Sequence, residues 1–199
     1  MEHVSITKQM RCCIRELSFY SKLSYDRGLV TAAGGNVSAR CGDYIIMTAS
    51  GISLRSVDGT GIVICDMDGK VVFQNGGLRP SKEWAIHLAI YRLRPKVDSI
   101  IHVHPPYTIS YTYHGKEIPM ATGSAEMKLK RVPIVPYNWP GSTSLAQAVE
   151  AVVKDSSEDI HSIVLQRHGI VCYETGMENC FNTAELTEDT ARIAYLSQI

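Results

Sequence analysis

The 199-residue chain carries no excess of either charge. Twenty Lys and Arg balance twenty Asp and Glu, so its composition points neither to nucleic acid nor to an anionic membrane as a partner. No apolar run approaches the ~20 residues that span a bilayer. The opening MEHVSITKQMRCC lacks the basic-then-apolar order of a secretion leader. None of the six cysteines (Cys12, Cys13, Cys41, Cys65, Cys172, Cys180) belongs to a C-x-x-C, and most sit among apolar residues. In a chain of this length they read as reduced, mainly buried thiols of a cytoplasmic protein and as a poor source of metal ligands. No G-x-G-x-x-G or Walker pattern is present, so neither a dinucleotide site nor a P-loop is signalled. Repeats, low-complexity stretches and linkers are missing too.

What remains is an ordinary globular composition, 45% apolar and 20% charged. It fits one domain over residues 1–199, large enough to bury roughly 70% of the unfolded chain's surface. A first helix is expected from about Ser5 to Tyr25, with Met10, Ile14 and Leu17 on one face and Gly28 beyond its end. YIIMTAS reads as a short strand, and GIVICDMDGKVVF as a hairpin turning at Asp-Gly. PSKEWAIHLAIYRLRP reads as a deeply buried helix opened by Ser81 and closed before Pro95. Strands follow at SIIHVH and RVPIVPY. STSLAQAVEAVVK is a helix with Leu145, Val149 and Val152 on one face. HSIVLQ and GIVCYE are strands, and a last helix runs from about Met177 to Leu196. Interleaved helices with hairpin-paired strands predict an α/β fold, a mixed and largely antiparallel sheet with helices on its faces.

Several polar residues stand out against this apolar frame. His102 and His104 are two apart in a strand, so they project to the same side with Cα atoms roughly 6.5–7 Å apart. Two imidazoles so spaced can share a metal ion, although buried histidines often serve only as hydrogen-bonded core residues. A catalytic zinc site typically takes three protein ligands and an open position. His168, at the end of SIVLQ and beside Gly169, is a third candidate; a turn histidine capping backbone groups is the plain alternative. Glu83, expected in the first turn of a helix, either complements the helix dipole or serves a site as ligand or base. Ser81 and Lys82 at that helix start, the GGN of Gly34–Asn36 and the TASG of Thr48–Gly51 all suit an anion. Each alone also reads as a turn, a cap or a solvated lysine.

Taken together and in order, GGNVSAR, TASGIS, PSKEW, HVHPP and RHGIV resemble the class II aldolase/adducin family over nearly the whole chain. The resemblance implies a three-layer fold and a homotetramer with its sites at subunit boundaries. It implies Zn2+, or another divalent ion such as Mn2+ or Co2+, on His102, His104 and His168, with Glu83 as the catalytic acid/base. It further implies a phosphate pocket at Gly35, Asn36, Ser50, Gly51 and Ser81, with Lys82 beside them. The expected substrate is a small phosphorylated sugar or sugar acid. The leading reaction is retro-aldol cleavage of a fuculose-1-phosphate-like ketose through a metal-stabilised enediolate.

Departures from the pattern keep other readings in view. Ser81-Lys82-Glu83, where the aldolases commonly have Ser-Ser-Glu, and VPYNWPG at Val135–Gly141 resemble the family's 3-oxo-tetronate 4-phosphate decarboxylases. TASGIS and SKEWAIHLAIYRLRP resemble the fuculose-phosphate aldolases more. The chain stops soon after its last helix, so the tail tyrosine of those aldolases is not expected; Tyr107, Tyr111 and Tyr113 are nearby candidates for the acid. Pentulose-phosphate 4-epimerases typically carry aspartate in place of Glu83. A non-enzymatic adducin-like domain would lack the intact metal set that this chain retains.

Overall fold

A computed structural model describes residues 5–198. Helix α1 spans Lys8–Asp26, capped by Thr7, whose side chain accepts from the Met10 N–H. It starts two to three residues later than the apolar pattern alone suggests, because the threonine supplies the first acceptor for otherwise unpaired backbone donors. Strands β1 (Asn36–Cys41), β2 (Tyr44–Thr48), β3 (Ile62–Asp66) and β4 (Val71–Gln74) follow as an antiparallel meander. Then come α2 (Trp84–Leu93), β5 (Ser99–Val103) and two short helices, α3 (Pro106–Thr112) and α4 (Gly123–Lys128). The chain continues through β6 (Ile134–Val135), α5 (Thr143–Asp155), β7 (Ser162–Leu165), β8 (Gly169–Glu174) and α6 (Met177–Ser197).

The eight strands form one sheet in the order β4-β3-β2-β1-β5-β8-β7-β6. All neighbours are antiparallel except β6 and β7. The expected mixed, largely antiparallel sheet with helices on both faces is what the chain forms. RVPIVPY contributes only two strand residues, since prolines on both sides remove ladder donors. In α5 the buried face is Leu145, Val149 and Val153, with Val152 turned partly outward.

Alternation along the strands feeds two cores. Val37, Ala39, Ile101, Val103, Ile170 and Cys172 pack with α1 and α6. Ile100, Val171, Tyr173, Ile163 and Leu165 pack with α2 and α5. An aliphatic side chain buried at such a position contributes about 1.5–3 kcal/mol. On the α2 side of the two central strands, however, Asn36, Ser38 and His102 occupy those positions, all buried. Polar residues there forgo that contribution, so they need a compensating partner set. Among the described residues, no helix is long and apolar enough to cross a membrane.

Candidate active site

Three strand ends converge beyond the C-terminal end of the central strand β5. His102 is the penultimate residue of β5, and His104 follows just beyond its end. His168 ends the tight turn from β7 into β8. The ring centroids of His102 lie 4.8 Å from those of both His104 and His168, and the latter two are 5.0 Å apart. One ligand nitrogen from each falls within 4.8 Å of the others.

Two glycines make the convergence possible. A Cβ on Gly169 would lie 2.2 Å from the Val103 carbonyl oxygen. One on Gly35, whose φ is +71°, would lie 2.8 Å from the His102 carbonyl oxygen. The flanking chains close onto the backbone that carries the histidines because no side chain intervenes.

Glu83 faces the cluster from the start of α2. It is the N-cap residue rather than part of the first turn, and its carboxylate makes no capping bond. Ser81 is therefore not the helix cap expected from sequence; its hydroxyl accepts instead from the Glu83 N–H at 3.3 Å. The carboxylate turns away from the helix: Oε2 lies 2.8 Å from His102 Nε2, and Oε1 lies 3.4 Å from His168 Nε2. Asn36, paired with His102 in the β1–β5 register, donates to Oε2 at 3.5 Å.

The electrostatics of this cluster follow from its burial and its close spacing. His102 Nδ1 donates to the Ile170 carbonyl at 2.8 Å, which commits that nitrogen and turns Nε2 to the cluster. That Nε2 sits 3.1 Å from His104 Nε2 and faces a carboxylate. Burial drives His104 down to about 3 and His168 down to about 4, with the charge of His102 adding to both. Burial also opposes charge on Glu83, but His102, His168 and His104 outweigh it and hold the carboxyl well below its usual range. Burial works against a charged His102 as well, and Glu83 overcomes it, so that ring titrates above its ordinary value. Three imidazoles and a carboxylate meeting at one point form a donor set that suits a divalent ion.

The cluster opens into a cleft of about 620 Å³. Gly35, Asn36, Ser50, Gly51, Ser81, Lys82, Glu83, His104 and His168 line it; His102, 1% exposed, sits directly behind. Further lining residues that the sequence analysis quoted within motifs but did not assign to the site include Tyr137, Trp139 and Arg167. Trp139 is 74% exposed at the rim. Arg167, in left-handed backbone conformation (φ 60°), lies 5.2 Å from the Tyr113 ring centre and 4.7 Å from that of Tyr137. Its place inside RHGIV was the available signal. Of the tyrosines considered for the acid role, Tyr107 packs on Arg192 and Tyr195, Tyr111 lies against Lys116, and Tyr113 lies against Arg167. None of the three lines the cleft, whose own tyrosine is Tyr137.

Comparison with known proteins gives one consistent relationship. Residues 15–195 match the family described as Class II Aldolase and Adducin N-terminal domain. An L-fuculose phosphate aldolase of Methanococcus maripaludis is 32% identical over 175 residues, covering 88% of this chain and 92% of that protein. A 3-oxo-tetronate 4-phosphate decarboxylase of Haemophilus influenzae is 27% identical, covering 87% and 82%. The solved structure of an L-fuculose 1-phosphate aldolase superposes with a TM-score of 0.85 at 28% identity, covering 94% of this chain and 86% of that one.

Proposed function

The chain belongs to the class II aldolase and adducin family, and from that premise we propose that it is a metal-dependent lyase. Its reaction is retro-aldol cleavage of a phosphorylated ketose of the fuculose-1-phosphate type. The observation that carries this reading is a buried Glu83 carboxylate facing three histidines at the floor of an open cleft. His102, His104 and His168 would hold the divalent ion, with Zn2+ the expected metal. When bound, that ion supplies a Lewis acid that stabilises negative charge developing on substrate oxygens.

The remaining work falls to the chain's own residues. Gly35, Asn36, Ser50, Gly51, Ser81 and Lys82 bind the phosphate, and that remote binding energy orients the carbon–carbon bond over the cluster. Glu83 accepts a proton and returns it to the carbon that has lost its neighbour, as general base and then acid. Ser81, which accepts from the Glu83 N–H, and Asn36, which donates to its carboxylate, hold it in place for both steps. The same reading expects a homotetramer with the site at a subunit boundary, in the cytoplasm.

One observation favours a second reading, decarboxylation of a 3-oxo sugar-acid phosphate. Two cationic side chains, Lys82 and Arg167, line the cleft, enough to serve a phosphate and a carboxylate. A product assay on metal-loaded protein separates the two. Fuculose 1-phosphate and related ketose phosphates are offered beside 3-oxo-tetronate 4-phosphate. Triose product without carbon dioxide is expected. Carbon dioxide release from the 3-oxo acid would make the second reading primary. Neither product, with metal bound, would contradict both.

A further inference from the structure

Helix α2 reads as apolar nearly all round, yet one stripe of it is polar and lies inside the protein. Glu83, His87 and Tyr91 are spaced by four, which puts them on one face. Asn36, Ser38 and Arg40 are spaced by two on β1 and share the strand side that α2 covers. The two series meet rung by rung. Asn36 reaches the Glu83 carboxylate at 3.5 Å. The Ser38 hydroxyl lies 2.7 Å from His87 Nδ1 and 2.8 Å from the Tyr91 hydroxyl. The Arg40 guanidinium lies 5.6 Å from the centre of the Tyr91 ring, and the Tyr91 hydroxyl donates to the Asp98 carbonyl at 3.4 Å.

Ser38, His87 and Tyr91 are buried to 1% exposure or less. Apolar packing between a helix and a strand is set by shape and volume and tolerates repacking of similar volume. A buried row of hydrogen bonds permits one setting, since any displacement leaves donors and acceptors unpaired. Burial pushes His87 down to about 3, so the ring is neutral and offers one donor and one acceptor. It lies one turn from Glu83, whose carboxylate must meet three histidines borne on other elements.

We propose that Ser38 and His87 are positioning residues: their buried bond fixes the rotational setting of α2 against β1 and thereby aims Glu83 at the three-histidine cluster. The inference rests on the reading of Glu83 as the acid/base at a metal. It adds residues that touch neither substrate nor ion, in a ladder that runs from the site into the interior.

The test compares Ser38→Ala, His87→Leu and His87→Asn with Thr187→Val. Thr187 is a buried hydroxyl on α6, bonded to Ser162 and the Thr183 carbonyl and remote from the cleft. Each variant is loaded with Co2+, and its visible spectrum, melting temperature, kcat and KM are recorded. Ser38→Ala and His87→Leu are expected to lower kcat by roughly 10–100-fold with KM little changed, the range seen when the outer partners of a metal site are removed. Their Co2+ spectra are expected to shift, and His87→Asn, whose amide can replace Nδ1, to recover most of both. Thr187→Val is expected to lose melting temperature alone. Should His87→Leu fail to fold, Ser38→Ala carries the test with the smaller volume change. Ladder variants that lose melting temperature but keep wild-type kcat and spectrum, while Glu83→Gln is inactive, would overturn this inference and leave the proposed function standing. Normal turnover by Glu83→Gln would remove both.

Discussion

Glu83 and Glu188 both turn a carboxylate inward, one from the start of α2 and the other from α6. Glu188 meets donors. It accepts from the Tyr107 N–H at 2.9 Å, the Thr108 N–H at 2.8 Å and the Thr108 hydroxyl at 2.7 Å. It thus caps α3, whose own N-cap, Pro105, supplies no side-chain acceptor. Glu83 meets imidazole nitrogens, one of which belongs to a ring already committed through its other nitrogen. Its Oε1 has no hydrogen bond. A half-buried carboxylate matched by donors, as at Glu188, is a structural part. One set among three imidazoles, with one oxygen lacking a hydrogen bond, has the donor set of a cation site.

The sharpest way to break the comparison is to neutralise each glutamate in turn. Glu83→Gln is expected to keep its metal and lose turnover by about 10²–10⁴, the usual worth of a general acid/base. Glu188→Gln places an amide among donors and is expected to cost about 1–3 kcal/mol of stability, with turnover per folded molecule unchanged. Steady-state kinetics and thermal unfolding of both variants decide this, and a reversed pattern would refute the distinction.

Next in size is the backbone that brings the histidines together. Gly169→Ala would force a Cβ against the Val103 carbonyl, so a loss of about 1–3 kcal/mol or more is expected. Urea unfolding should report that loss, and calorimetry a weakened affinity for metal. Wild-type affinity would show that close approach at this glycine does not matter.

Stability against pH should divide the same two regions. His104 and His168 titrate at about 3 and about 4 in the folded protein, against an ordinary value near 6.5 in an unfolded chain. Their contribution is therefore complete above about pH 6.5 and is lost as pH falls toward 4, because the unfolded chain takes up those protons first. Glu188 has the opposite sign. Burial raises its carboxyl despite the bonds from Tyr107 and Thr108, so its contribution is present at low pH and is lost as pH rises through that raised value. His102, raised by Glu83, works the other way, but the two lowered rings outnumber it, so the urea midpoint of metal-free protein is expected to fall between pH 7 and 4.5, and less steeply in His104→Gln. A flat profile would contradict the burial of His104 and His168 as neutral rings. The smallest effect is expected at the rim, where Arg167→Ala should raise KM about tenfold with kcat unchanged; an unchanged KM would remove Arg167 from substrate binding.

Much of this was legible in the chain because it depends on near neighbours. The i, i+2 spacing of His102 and His104, the hairpin at Asp68-Gly69 and the apolar faces of α1 and α5 follow from local periodicity. The role of Glu188 could not be read that way, since the donors it serves lie 80 and 81 positions earlier. Nor could the start of α2: Ser81 has the chemistry of a cap, but the helix begins where Glu83 turns toward histidines borne on other elements. His87 belongs to none of the ordered motifs, and its spacing of four from Glu83 was the available signal. Helices α3 and α4, of seven and six residues, are too short to show a period.

The central claim is that the site around Glu83 is completed by a metal ion, and titration calorimetry tests it directly. Metal-stripped protein is titrated with Zn2+ beside the variants His102→Gln, His104→Gln and His168→Gln. One ion per chain in the wild type, with affinity sharply reduced in each variant, is the predicted result. No binding by the wild type, or binding indifferent to all three substitutions, would contradict the account.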